Sequence, residues 1–317
     1  MSVKVNVLVT GCGGDIGQSI GKILKEIPLI NNIYGIDISS KNAGSFIYPN
    51  FKVGLPIKHP DFFQFLNEFI KTNKIDLYIP MAEPELRHLT QVNRLDFFGQ
   101  ATMIHANRLA LEIGFDKLKT SEFLQQHGLP FPKTHIASDY VKMNLFPFIL
   151  KSRSGSGGKN LYLINDRDDI SYLQKKVLLE NYIVQEFLTQ DSDEYTCGLF
   201  RSKAGEIRSI IFRRELTGGY SGFGEVIESE PITLLLNSIA QNINLQGSIN
   251  VQLRMISDVP YVFEINPRFS STVRFRNMFG FNDVLWSIQD ALNIKVSDYE
   301  RHQNLSRFYK GFSEYVD

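Results

Sequence analysis

The sequence predicts an α/β fold, with a parallel sheet flanked by helices in the N-terminal third and a mixed α+β region after it. Three observations carry this. Val5–Thr10 is a near-continuous apolar run followed at once by a glycine turn and an amphipathic helix. Strands and helices then alternate at short spacing as far as Gly114. Residues 247–269, GSINVQLRMISDVPYVFEINPRF, read as a β-hairpin with a polar exit.

The bulk numbers set limits. At 317 residues the chain is long enough for two domains with real cores. Its 34 Lys and Arg balance 34 Asp and Glu, so no global field points to nucleic acid or an anionic membrane. Cys12 and Cys197 show neither disulfide nor metal spacing, which suits a reducing cytosol. The first ten residues lead into a strand rather than a signal peptide, and no apolar run approaches the ~18 residues of a membrane helix. A soluble cytoplasmic protein is expected, with no nucleic-acid or membrane partner.

In the N-terminal third, glycines 11, 14 and 17 follow the first strand. Ile16, Ile20, Ile23, Leu24 and Ile27 then line one side of a helix. A second strand over 33–38 carries Asp37, twenty residues after Gly17. This pattern suits a dinucleotide, with pyrophosphate at the helix start and Asp37 on a ribose diol. It suits equally well a strand and helix that merely pack closely. Helices over 61–72 and 83–97 and strands over 75–80 and 101–104 complete the sheet.

In the middle, residues 115–129 form an amphipathic helix stopped by Gly128, Pro130 and Pro132, with Lys117 at its start. A short strand over 146–151 delivers Lys151 into SRSGSGGKN, a glycine- and hydroxyl-rich loop whose amides and cations suit an anion. The loop lacks Walker A order. Residues 182–188, YIVQEFL, read as a buried strand, and residues 194–200 as another. Tyr172 and Lys176 have the spacing of a dehydrogenase Tyr–Lys pair, but they follow a second glycine loop where that fold needs a continuous sheet.

The hairpin concentrates the polar chemistry. With a three-residue loop over 257–259, Gln252 lies opposite Glu264, and both point with Asn266 to one side. A two-residue loop puts them on opposite faces, because side chains alternate along a strand. One carboxylate and two amide oxygens suit Mg²⁺ shared with phosphates, and Arg268 just beyond suits a phosphoryl group.

Taken together, these segments resemble the ATP-grasp superfamily, most closely the synthetase halves of carbamoyl phosphate synthetase and the stand-alone carboxylate–amine ligases built like them. The features are Asp116-Lys117 opening a helix, FILK (148–151) before a glycine-rich loop, the QEFL hinge (185–188), Glu194, Gln252 and Glu264-x-Asn266-Pro267-Arg268. The resemblance spans essentially the whole chain. It implies a Rossmann-like pre-ATP-grasp domain over 1–114 that binds no NAD. A two-lobed ATP-grasp domain over 115–317 would follow, with a mobile lid lobe at about 134–187.

It further implies ATP and Mg²⁺ as cofactors. Lys117 and Lys151 would contact ATP phosphates, with Ser154, Gly155, Ser156, Gly157 and Gly158 closing over them. The hinge of Glu186, Phe187 and Leu188 would take adenine through backbone groups, and Glu194 would hold ribose. Gln252, Glu264 and Asn266 would bind metal, and Arg268 would hold the transferring phosphoryl group as a catalytic residue with Lys151. Gln252 stands where many relatives have a carboxylate, which leaves the number of metal ions open. The chain shows no second synthetase half, glutaminase or allosteric region, so carbamoyl phosphate synthesis itself is not expected.

On the substrate side, RSIIFRRELTGGYSGFGEVIE (208–228) resembles the arginine- and glycine-containing stretch of those ligases. Arg213 or Arg214 would clamp a carboxylate, Ser221 would donate to it, and Arg274 is a further candidate contact. Helices over 231–245 and 282–292 should pack, with Trp286 in the core. The expected activity joins a carboxylate, activated as an acyl phosphate, to an amine or a thiol. Small-molecule acids and amines are its partners, and a homodimer is compatible with it. An NAD(P)-dependent oxidoreductase built on glycines 11–17 and a nucleotide-binding protein without turnover are the alternatives.

Overall fold

Val5–Thr10 (β1) is buried along nearly its whole length because helices cover both faces of its sheet. The computed structural model describes residues 4–95, 97–140, 146–155, 160–189, 193–302 and 304–316. In chain order the first region comprises α1 (Asp15–Leu24), β2 (Ile30–Asp37), α2 (Gly44–Ile47), β3 (Asn50–Val53), α3 (Phe62–Thr72), β4 (Leu77–Pro80), α4 (Glu83–Gln91), β5 (Phe97–Phe98), β6 (Ala101–Met103) and α5 (Arg108–Gly114). Its sheet runs β3-β2-β1-β4-β6-β5, parallel except where β5 pairs antiparallel with β6.

The helix expected over 83–97 is shorter, ending at Gln91. Asn93 takes φ 58°, a left-handed conformation that asparagine tolerates, and the chain turns into the β5–β6 hairpin. The glycine turn serves close packing. Gly11 has φ 63°, and a Cβ on Gly17 would collide with the Gly11 carbonyl. The Asp37 carboxylate closes this turn, accepting from the amides of Gly13 at 2.9 Å and Ser39 at 3.2 Å.

Next come α6 (Lys117–Gln126), β7 (Thr134–Ile136), α7 (Ala137–Tyr140), β8 (Phe148–Ser152), β9 (Leu161–Ile164), α8 (Arg167–Gln174) and β10 (Tyr182–Glu186). The four strands form an antiparallel sheet, β7-β10-β8-β9. Phe148, Leu150, Ile164 and Val184 pack beneath α8 through Ile170 and Leu173. Asp166 caps α8 by accepting from the amides of Asp168 and Asp169. The side chains of Tyr172 and Lys176 bond only to each other among the described residues, and Tyr172 is exposed.

The last region comprises β11 (Glu194–Arg201), β12 (Ile207–Thr217), β13 (Tyr220–Ile227), α9 (Glu230–Asn242), β14 (Gly247–Ile256), β15 (Val259–Asn266), α10 (Val273–Met278), α11 (Asp283–Ala291) and β16 (Arg307–Tyr309). Its antiparallel sheet runs β15-β14-β11-β12-β13-β16. One face packs on α9, α5 and α6 through Ile249, Val251, Leu236, Ile113 and Leu124. The other buries Phe200, Phe212 and Trp286, as expected for the lone tryptophan.

The β14–β15 turn differs from the expected three-residue loop. Ser257 (φ 48°) and Asp258 (φ 63°) form a two-residue turn with both residues left-handed, the geometry that matches strand twist. Gln252 nevertheless faces Glu264. Leu253 pairs with Val262 and Gln252 with Glu264, so Phe263 is an extra residue, a β-bulge that restores the alternation.

Candidate active site

A cavity of about 850 Å³ lies between the three sheets. Lys117, on the first turn of α6, reaches it with its ammonium 2.6 Å from the Gly155 carbonyl and 3.5 Å from Glu264 Oε1. Its helix start is tied to the glycine loop. Asp116 caps α6 and grips Arg153 through a fork of 2.7–2.9 Å bonds.

Lys151 comes from β8 and is buried. It donates to Gln185 Oε1 at 2.8 Å and to the carbonyl of the bulge residue Phe263 at 3.2 Å. Burial pushes its ammonium down from the ordinary 10.5 to about 8, with Glu264 opposing and Lys117 adding. Gln185 is itself buried, on a strand buried from Tyr182 to Gln185 as the sequence led one to expect.

On the central sheet, Glu194 is held between Arg214 at 2.6 Å and Arg254 at 2.8 Å, from the two neighbouring strands. Arg214 also donates to Gln252 Oε1 at 3.1 Å and to Ser221 Oγ at 3.2 Å. Ser221 is buried and outside the cavity lining, with its hydroxyl accepting from Arg214.

At the hairpin exit, Glu264, Asn266 and Arg268 all line the cavity. Arg268 lies 4.0 Å from Glu83 of α4 and donates to the Phe269 carbonyl at 3.0 Å. Burial lowers its pKa, and Glu83 and Glu264 oppose that. Gly114 permits the close approach of the first region here, because a Cβ would meet Pro267 Cδ at 2.6 Å.

The structure thus brings Lys117, Lys151, Gly155, Glu194, Arg214, Gln252, Glu264, Asn266 and Arg268 to one cavity. It does not bring Arg213 or Arg274 there. Arg213 points to the other face of β12, onto Asp193 at 3.3 Å and Glu225 at 2.7 Å, because neighbouring strand residues alternate. Arg274 forks onto Glu26 of the first region at 2.6 Å. Ser154 is exposed outside the lining, and Ser156, Gly157 and Gly158 lie outside the described residues. Glu186, Phe187 and Leu188 also lie outside the lining, and the Glu186 amide donates to the Lys133 carbonyl at 2.8 Å.

Sequence reading missed Thr10, Glu83 and Glu85, which line the cavity from the first region. Among the described residues no three His, Cys, Asp or Glu side chains gather as a metal site. The hairpin offers one carboxylate and two amide oxygens, a hard-oxygen set that fits Mg²⁺ completed by waters and phosphate.

Two family models match. One, ATP-grasp in the biosynthetic pathway with Ter operon, matches residues 179–309, and a RimK-like ATP-grasp domain matches residues 114–223. The chain therefore carries an ATP-grasp domain. Its relatives include the carbamoyl phosphate synthase large chain of Campylobacter jejuni, 24% identical over 202 residues, which are 57% of this chain and 18% of that one. That of Methanosphaerula palustris is 24% identical over 240 residues, 69% of this chain and 22% of the relative. The chain thus spans about a fifth of the length of these relatives. An ADP complex of N5-carboxyaminoimidazole ribonucleotide synthetase superposes with a TM-score of 0.74 at 15% identity, covering 95% of this chain and 80% of that one.

Proposed function

We propose that the protein is an ATP- and Mg²⁺-dependent ligase that activates a carboxylate as an acyl phosphate and joins it to an amine or, less often, a thiol. The observation that carries this reading is the convergence of Lys117, Lys151, Glu264 and Arg268, from separate segments, on one cavity. Residues 1–114 act in this reading as a Rossmann-like pre-ATP-grasp domain, and 115–317 as the ATP-grasp domain with a lid at about 134–187. The parallel first sheet and the separate four-stranded sheet support that division. A homodimer belongs to the proposal, supported by the dimeric biotin carboxylase domain of Hydrogenobacter thermophilus among its structural neighbours. No described helix is long and apolar enough to cross a membrane.

Lys117 and Lys151 neutralise the ATP phosphates, and the loop over 154–158 closes on them. Backbone groups at Glu186 and Leu188, beside Phe187, take adenine, and Glu194 takes ribose hydroxyls. Gln252, Glu264 and Asn266 would hold Mg²⁺, which supplies charge neutralisation at the phosphates. Arg214 orients the substrate carboxylate. The carboxylate oxygen attacks the γ-phosphorus, the bond to the ADP oxygen breaks, and Arg268 stabilises the group in transfer. The amine then attacks the acyl carbon, phosphate leaves with the bonding pair, and the amine proton passes to phosphate or water. No side-chain nucleophile is required.

A thermal-shift panel with ATP, ADP and NADH, each with and without Mg²⁺, tests the reading. A Mg²⁺-dependent rise with adenine nucleotides, lost in Glu264→Ala, is expected. A rise with NADH alone overturns it.

A further inference from the structure

Among the described residues the Glu85 carboxyl has no counter-ion. It stands on the first turn of α4, is 5% exposed, and lines the cavity. Its partners are two neutral hydroxyls, Thr10 Oγ1 at 2.7 Å and Tyr78 Oη. Among the described residues no Lys, Arg or His forms an ion pair with it, whereas the carboxylates Glu83, Glu194 and Glu264 each have one. A buried charge without a partner is costly, and proteins retain one where something completes it. Two hydroxyl donors leave acceptor capacity on both of its oxygens.

The surroundings define what completes it. The cations of the cavity come from α6 (Lys117), the lid sheet (Lys151), the central sheet (Arg214) and the exit of β15 (Arg268), where phosphates and an acid are expected. Thr10, Asp37, Glu83 and Glu85 on the first sheet's side are acidic or neutral. Leu55, Ile57 and Phe62 line the cavity there and belong to the same apolar cluster as Tyr78. The 4.0 Å approach of Glu83 to Arg268 sets this side directly against the transfer site.

We propose that this side of the cavity is the nucleophile subsite, binding a primary amine as its ammonium ion on Glu85 with the apolar body against Leu55, Ile57 and Phe62. One ammonium proton passes to the Glu85 carboxylate, and the neutral amine so formed attacks the acyl carbon. The proposal rests on the ligase reading and narrows its second substrate to amines with an alkyl or aryl body. Burial, opposed only by the two hydroxyls, raises the Glu85 carboxyl to about 7.

The test compares binding of isoamylamine and 2-phenylethylamine with isoamyl alcohol and 2-phenylethanol by calorimetry, in the presence of Mg²⁺ and ADP. The wild-type protein should bind the amines at least tenfold tighter than the alcohols. Glu85→Gln should lose at least tenfold for the amines while keeping the ADP thermal shift. Amines bound no better than alcohols by wild type, or bound equally by Glu85→Gln, would overturn the proposal. The wild-type comparison stands without any variant. Loss of the ADP shift in wild type would instead sink the ligase reading, so the two failures separate.

Discussion

The ammonium of Lys151 donates to the main-chain carbonyl of Phe263 at 3.2 Å, and Phe263 is the residue that the β14–β15 ladder leaves without a partner. The bulge therefore does two things. It returns Gln252 and Glu264 to one face, and it turns a carbonyl toward the lid-sheet lysine. Because burial holds Lys151 at about 8, free-enzyme ATP affinity should be flat below that pH. Above it, affinity should weaken about tenfold per pH unit as the cation is lost. Calorimetry of Lys151→Arg should show no such slope.

The same shift has a stability consequence. The folded pKa lies below the unfolded value, so from about 8 to 10.5 the unfolded chain binds more protons and stability rises with pH. Below that window the full cost of a buried charge is present. Denaturant midpoints of the ligand-free protein should climb across the window, and those of Lys151→Met should lack that component.

Arg213 and Arg214 offer an internal control, being adjacent in sequence and opposite in direction. Arg214→Ala removes a guanidinium that touches Glu194, Gln252 and Ser221, and should lower kcat/KM for the acid at least 50-fold. Arg213→Ala removes solvent-screened pairs on the other face of β12 and should leave turnover near wild type. Steady-state kinetics on the two proteins decide it. Equal losses would mean that the β12 register does not govern the substrate.

Period and glycine position made the sheets legible. β1 has the same bounds in sequence and structure, and the lysines, Glu264 and Arg268 carried their own spacing signal. What was hidden depends on register and on contacts distant in sequence. Turn length and bulge are two offsets that cancel at Gln252, so the right pairing followed from the wrong loop. Arg213 and Arg214 cannot be told apart until the strand's face is known. Glu85 lies on a helix whose first turn reads as ordinary dipole compensation, and only Tyr78 and Thr10 beside it show that it is buried.

The β14–β15 turn should be improvable. Ser257 and Asp258 both occupy left-handed conformations, where asparagine and glycine are the favoured pair. Ser257→Asn with Asp258→Gly should stabilise the protein by about 1 kcal/mol in denaturant melts, with activity unchanged. A destabilised double variant would show that the native side chains hold the turn by contacts.

Arg276 and Asp283 form a fully buried pair at 3.1 Å behind the hairpin exit. The guanidinium also donates to Ser270 Oγ at 2.9 Å and to Asn250 Oδ1, while Ser248 donates to Asp283 at 2.7 Å. Room for it comes from Gly198 of β11, where a Cβ would lie 2.8 Å from Arg276 Nε. Burial raises the Asp283 pKa and lowers that of Arg276, each opposed by the other's charge. Arg276→Met strands a buried carboxylate and should cost about 3–5 kcal/mol, whereas adding Asp283→Leu should recover most of it. Because Ser270 lines the cavity just after Arg268, the single variant should also raise the KM for ATP. Denaturation and kinetics on the two proteins separate these effects. If the double variant regains stability and not KM, the network's retained value is the placement of the Arg268 loop and not the energy of the pair.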